Sequence, residues 1–208
     1  MEKFIRLFLI FGFLTFNIIW GVINHRYRKS ELPVVKKWPS SGVLNGIKFL
    51  LFLIWFVVFF LAEGYQYKFM EKISGTAAIL DGLKFLGLAL CAMGGYLILW
   101  GRLSLKEFFS QKIVIKKNHE VVTEGPYRYL RHPIYLGGLL SIWGVTLALD
   151  SLVTLLVLAI PFIAVTIISV RAEEKLWESM SREKYDEYKR KVRSFIPVGR
   201  GKSSQPPK

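Results

Sequence analysis

The residues able to do chemistry gather in two stretches. The first runs His119-Glu120-Val121-Val122-Thr123-Glu124-Gly125-Pro126-Tyr127 and continues Arg128-Tyr129-Leu130-Arg131-His132-Pro133-Ile134-Tyr135-Leu136-Gly137. The second is the pair Glu173-Glu174, directly after an apolar run. An acid at the edge of lipid is costly unless it is paired or used. Two readings of the pair therefore stand side by side: an ion pair with Arg128 or Arg131, or a carboxylate that holds a cationic ligand. The first stretch has plain readings too. Pro133 suits the first position of a helix, Arg128 and Arg131 obey the preference of cations for the inner side of a membrane, and Tyr127, Tyr129 and Tyr135 fit an interfacial aromatic belt. Their alternation in one long connection points further, because connections of this length inside a compact domain are usually functional or disordered.

Other chemistries find little support. His25, His119 and His132 lack the spacing of a zinc site. The single Cys91 has no partner for a disulfide or a thiolate metal site, and reads as a small packing residue.

The elements that position these residues are membrane spans. Hydrophobic residues make up 52% of the chain, with 16 Phe and 6 Trp, and runs of about 18 or more apolar residues are long enough to cross a bilayer. Residues 4–23, 44–62, 83–100 and 151–170 qualify, and the shorter 134–149 joins the last through Asp150 and Ser151 alone, which predicts a tight helical hairpin. The expected fold class is all-α integral membrane, with about five transmembrane helices and an amphipathic interfacial helix over residues 171–193. On that helix Trp177, Tyr188, Val192 and Phe195 share one face, opposite Lys175, Arg182 and Arg193. The first span is too long, and lacks the small-residue cleavage pattern, to be a secretion signal. Gly82, Gly87, Gly94 and Gly95 punctuate the third span, where small residues let helices approach closely. Pro33 and Pro39 bar a long helix from the basic loop between the first two spans.

Charge sets the expected orientation. With the N-terminus outside, only Lys3, Arg6, Lys68, Lys72 and Lys84 of the 29 Lys and Arg lie outside. The formal charge of +14 is thus a topology signal and an attraction to anionic lipid, and needs no nucleic acid partner. Residues 1–110 read as a scaffold of three spans without chemistry of their own, 111–197 as the functional core, and 198–208 as a disordered basic tail.

In three blocks the chain resembles the isoprenylcysteine carboxyl methyltransferase and phospholipid methyltransferase family of membrane enzymes. These blocks are His119 to Tyr127, Arg131 to Gly137, and Glu173-Glu174 followed by Tyr185 and Tyr188, with Ile196-Pro197 closing the match. The resemblance implies that S-adenosylmethionine binds in a cytoplasm-facing pocket of the last spans and the C-terminal helix. It implies contacts from His119, Glu120, Val121, Val122, Tyr127, His132, Pro133, Ile134, Tyr135, Glu173 and Glu174, and a lipophilic substrate arriving from the bilayer. A carboxylate acceptor is already ionised at neutral pH and needs a cation to orient it rather than a base. Arg131 is the first candidate for that role, with Arg171 as the second. Family members often carry Phe-Gly at the positions of Ser181-Arg182, and eukaryotic carboxyl methyltransferases an Arg at the position of Ser169. The acceptor is left open between an isoprenylcysteine-like carboxylate and a phospholipid-like amine. An NADPH-dependent sterol-type reductase and a non-catalytic membrane protein are the competing readings.

Overall fold

The computed structural model describes residues 2–28, 32–61, 77–151 and 155–195. The expected Ile196-Pro197 closure and the tail lie outside the described residues.

In lipid a backbone can satisfy its hydrogen bonds within one segment only as a helix, and the apolar runs do so. The described residues hold α1 (Glu2–Arg28), α2 (Ser41–Leu61), α3 (Ala77–Leu105), α4 (Pro133–Leu149) and α5 (Ile160–Lys191), the last preceded by a π-helical turn at Leu155–Ala159. Segments Lys3–Arg28, Asp81–Phe108 and Leu156–Met180 are long and apolar enough to cross a membrane, and Ser41–Ile54 and Pro133–Leu149 are shorter apolar helices. The protein is a multi-pass, all-helical integral membrane protein. Much of the surface of α1 is apolar and exposed, as lipid contact requires: Phe4, Leu7, Phe11 and Ile18 are all more than half accessible.

The hairpin of α4 and α5 turns at Asp150, which adopts left-handed φ and ψ of 48° and 46° and donates its N–H to the carbonyls of Leu147 and Thr146. The amphipathic segment expected over 171–193 is not a separate element. It continues the last span without a break and stops at Lys191, so the same rod begins among apolar neighbours and ends among charged ones.

Glycines decide how α3 meets α4. Gly87 and Gly94 on α3, and Gly137 and Gly144 on α4, are each seven residues apart, two turns of helix, and so lie on one face. A Cβ at Gly144 would sit 2.5 Å from the backbone nitrogen of Cys91 and from the carbonyl oxygen of Gly87, and one at Gly94 would sit 2.5 Å from the carbonyl of Gly137. Backbone thus meets backbone along this seam, by the close approach that small residues allow in membranes.

A short antiparallel ribbon, not foreseen from the sequence, ties the scaffold to the core half. Strand β1 (Val34–Lys37) pairs with β2 (Val114–Lys116), with Lys36 opposite Ile115 and an irregularity between Val34 and Lys36. The ribbon is extended by the N–H of Trp38 donating to Ile113 and that of Lys117 donating to Pro33. Behind it Leu44, Ile113, Ile115, Val165, Ala172 and Leu176 form a core joining α2, β2 and α5. Two cations expected merely to mark the inner side are buried. Lys116 donates to the carbonyls of Glu107 and Phe109, while Arg102 donates to Asn24 and to the carbonyl of Lys106, with its guanidinium 4.4 Å from the Phe109 ring centroid.

Because the atoms facing Gly144 are backbone and cannot step aside, Gly144→Ala is expected to cost about 1–3 kcal/mol. Thermal unfolding in detergent should show a lowered midpoint for Gly144→Ala and none for Gly12→Ala, where a Cβ meets nothing within 4 Å.

Candidate active site

The long connection after α3 is shaped by one glycine. Gly125 has φ of +59°, and a Cβ there would come within 3.3 Å of the Trp100 indole nitrogen and 3.1 Å of Ser104 Cβ. Only glycine combines that backbone with that proximity. The 3₁₀ turn it opens, Gly125–Arg128, brings Tyr127 inward, where Tyr127 accepts through its carbonyl a 2.7 Å hydrogen bond from the Tyr188 hydroxyl.

From the other side, α5 presents Glu173, Trp177, Tyr185 and Tyr188 along one stripe, at intervals of four, eight and three residues. His119, Val121, Val122, Tyr127, Arg131, His132, Tyr135 and Glu173 border one cleft of about 100 Å³, together with Phe108, Trp177, Tyr185 and Tyr188. An adjoining cavity of about 350 Å³ shares Tyr127, Arg131, His132, Tyr135 and Glu173, and adds Ile134 and Lys48. Glu120 lies on the outer side of the His119 wall, in a separate recess with Lys184 and Lys191. Pro133 is buried at the start of α4 and borders neither space.

The two neighbouring glutamates have different work. Glu174 Oε1 accepts from Arg131 Nε at 3.1 Å and Nη2 at 2.8 Å, and lies 3.1 Å from His132 Nε2. Arg131 also donates through Nη1 to the carbonyls of Val192, at 2.7 Å, and Lys189, at 3.4 Å. Its own backbone N–H donates to Arg193, and that of His132 to Ser194. Arg131, the expected substrate cation, thus borders the cleft and the adjoining cavity with its guanidinium clasped to Glu174, which lines neither space. Arg171 is exposed and borders none of these spaces. Glu173, by contrast, is left 34% accessible, 4.0 Å from His132 Nδ1, and accepts from the Tyr135 hydroxyl. The ion-pair reading of the Glu pair holds for Glu174.

His119 stands in an aromatic slot, stacked on Phe108 at 4.6 Å and 8°, with Trp177 edge-on at 4.8 Å. Its buried Nδ1 has no hydrogen-bond partner among the described residues. Burial, aided by the Lys116 cation, lowers its pKa to about 4, so the ring is neutral at pH 7. Tyr127 is pushed well above the ordinary phenol value by burial and then by the Glu173 carboxylate, and Tyr185 and Tyr188 are raised chiefly by burial. All three keep their hydroxyl protons. Reasoning from sequence missed Phe108, and it missed Lys48, which comes from the supposedly inert scaffold. A lysine four residues into an apolar run was the available signal.

Residues 83–183 match the family described as phospholipid methyltransferase. A protein-S-isoprenylcysteine O-methyltransferase of Schizosaccharomyces pombe is 26% identical over 197 residues, covering 90% of this chain and 82% of that protein. The chain is thus similar to integral membrane methyltransferases of this family over just under half of its length. The matched span runs from α3 into the outer part of α5, and contains the His119 loop, Arg131, His132 and both glutamates. A cobalt-zinc-cadmium resistance protein, CzcN, of Cupriavidus metallidurans is 37% identical over 82 residues, 39% of this chain and 38% of that protein. Among solved structures, a eukaryotic intramembrane Ras methyltransferase, isoprenylcysteine carboxyl methyltransferase, shares 24% identity at a TM-score of 0.46, over 78% of this chain and 54% of that one.

Two outcomes follow from the geometry. Glu174→Ala leaves the Arg131 guanidinium without its anion and should lower stability by roughly 2–3 kcal/mol, between the values for exposed and for buried pairs. Glu173→Ala should cost less than about 1 kcal/mol, and chemical denaturation of the two variants tests the difference. The folded-state pKa of His119 lies below its ordinary 6.5, so its contribution to stability is full above pH 6.5 and is lost as pH falls towards 4. The melting temperature of His119→Phe should therefore fall less steeply than that of the wild type across this window.

Proposed function

We propose that the chain is an S-adenosylmethionine-dependent methyltransferase that methylates a lipophilic acceptor drawn from the bilayer, with its site facing the cytoplasm. The observation that carries this reading is the Glu173 carboxylate in an aromatic cleft, without an arginine or lysine ion pair among the described residues, beside a neighbour clasped by Arg131. Such a cleft suits a ligand that is cationic at one end and flat and aromatic at the other.

The residues fit the donor. Glu173, with the faces of Tyr127 and Tyr135, stabilises positive charge by charge-assisted contact and cation–π attraction. The slot of Phe108 and Trp177 around neutral His119 accepts a flat ring, and the unpartnered Nδ1 offers that ring a hydrogen bond. Val121 and Val122 give the cleft an apolar wall, Ile134 and Tyr135 line its inner extension, and Glu120 borders it from outside. Pro133 and His132 start α4 at the depth the cleft needs, with His132 held by Glu174. When bound, the donor supplies an electrophilic methyl carbon. The chain's part is to hold donor and acceptor in contact, which can supply several kcal/mol of a displacement barrier, and to exclude water. The tyrosines keep their protons and serve as walls and donors, not as bases.

The cytoplasmic orientation rests on charge, since all but five of the 29 Lys and Arg lie on the side that holds the cleft. Calorimetric titration of the full chain in detergent with S-adenosylhomocysteine tests the reading. Wild type should bind, and Glu173→Ala should bind at least roughly tenfold more weakly, the loss expected for one charge-assisted contact. No binding by folded wild-type protein would overturn the assignment.

A further inference from the structure

A second and larger cavity, about 630 Å³, lies within the membrane part of the molecule, walled by α1, α2, α3, α4 and the start of α5. Its wall is almost wholly apolar, with Phe13 and Phe52 stacked at 5.8 Å on one side and Phe162 on another. Lys48 of α2 is the cation in that wall, and also the residue this cavity has in common with the polar space beside Glu173. Its ammonium lies 5.1 Å from the Tyr135 ring centroid, and Tyr135 in turn donates to Glu173. Glu173 is the carboxylate whose charge reaches Lys48, at a distance beyond a direct ion pair. A cation in an apolar run is costly unless it is used, and here it stands at the throat between a greasy chamber and the donor site.

Resting on the methyltransferase reading, we propose that Lys48 is the specificity-determining residue for the acceptor: it holds the carboxylate head of a long-tailed acid whose hydrocarbon fills the intramembrane cavity. Shape and charge argue together. The apolar cavity takes a tail, and the ammonium complements an anion while repelling a protonated amine. Arg131 borders the polar space but is clasped to Glu174, and Arg171 is exposed, whereas Lys48 lines both spaces. The chemistry balances without a base. One carboxylate oxygen forms a bond to the methyl carbon as the carbon–sulfur bond breaks, the bonding pair returns to sulfur, and no proton moves. The anion and the sulfonium are consumed together, giving a neutral ester and a neutral thioether. The ester no longer attracts Lys48, which favours its return to lipid.

The test uses the full chain in non-ionic detergent, saturated with S-adenosylhomocysteine, and three probes with one tail: palmitate, hexadecanol and hexadecylamine. Palmitate should raise the melting temperature of wild type, and neither of the others should match it. Lys48→Met should weaken palmitate binding by roughly tenfold to a hundredfold while still binding S-adenosylhomocysteine, and Lys48→Arg should restore it. Equal binding of palmitate by wild type and Lys48→Met, no binding by wild type, or a preference for the amine would overturn the proposal. The methyltransferase reading fails separately, and only if S-adenosylhomocysteine does not bind.

Discussion

The clasp of Arg131 on Glu174 is the contact on which the site depends. One guanidinium joins three pieces of chain distant in sequence: the turn before α4, the middle of α5, and the segment just after α5. Ion pairs of this kind contribute little net energy when desolvation is counted, yet losing one partner is expensive. Its value here is positional. It sets the start of α4, and with it His132 and Tyr135, against the helix that carries Glu173.

The continuous α5 turns that position into a site. A helix that begins in lipid and ends among charges must pass through the interface, and residues at its crossing point have lipid on one side and polar groups on the other. Glu173 stands at this crossing. The glycine seam of α3 and α4 serves the same end from the opposite side, because the backbone contact it allows sets the depth at which the Gly125 turn delivers Tyr127. The scaffold half is bound to this arrangement by the β1–β2 ribbon and by Arg102, so α1 and α2 are walls of the working molecule rather than an anchor beside it.

Family similarity and local geometry carry different parts of the functional argument. Similarity to the family concerns the reaction type, and the span it covers holds most residues of the cleft, with Tyr185 and Tyr188 just beyond it. The larger apolar cavity lies partly outside that span, because α1 and α2 supply the rest of its wall, including Lys48. Folds in general share chemistry more readily than specificity, which is set by the particular side chains around a site.

Hydropathy and local order made much legible without coordinates. The spans and the hairpin at Asp150 follow from apolar run length, a signal complete within the chain segment that bears it, while the grouping of His119, Tyr127, His132, Tyr135 and Glu173 is what the family resemblance implies. The division of labour between Glu173 and Glu174 is not of this kind. Adjacent helical residues differ by about 100° in direction, so which one meets Arg131 depends on how α5 is rotated against a loop more than forty residues earlier. Strands of four and three residues carry too little periodicity to announce their pairing. Lys116 and Lys48 read only as inner-side charge until packing encloses the one and sets the other between two cavities. Pairings across the chain, and the surroundings of an isolated charge, are properties of distance in space, and these were decided only when the helices came together.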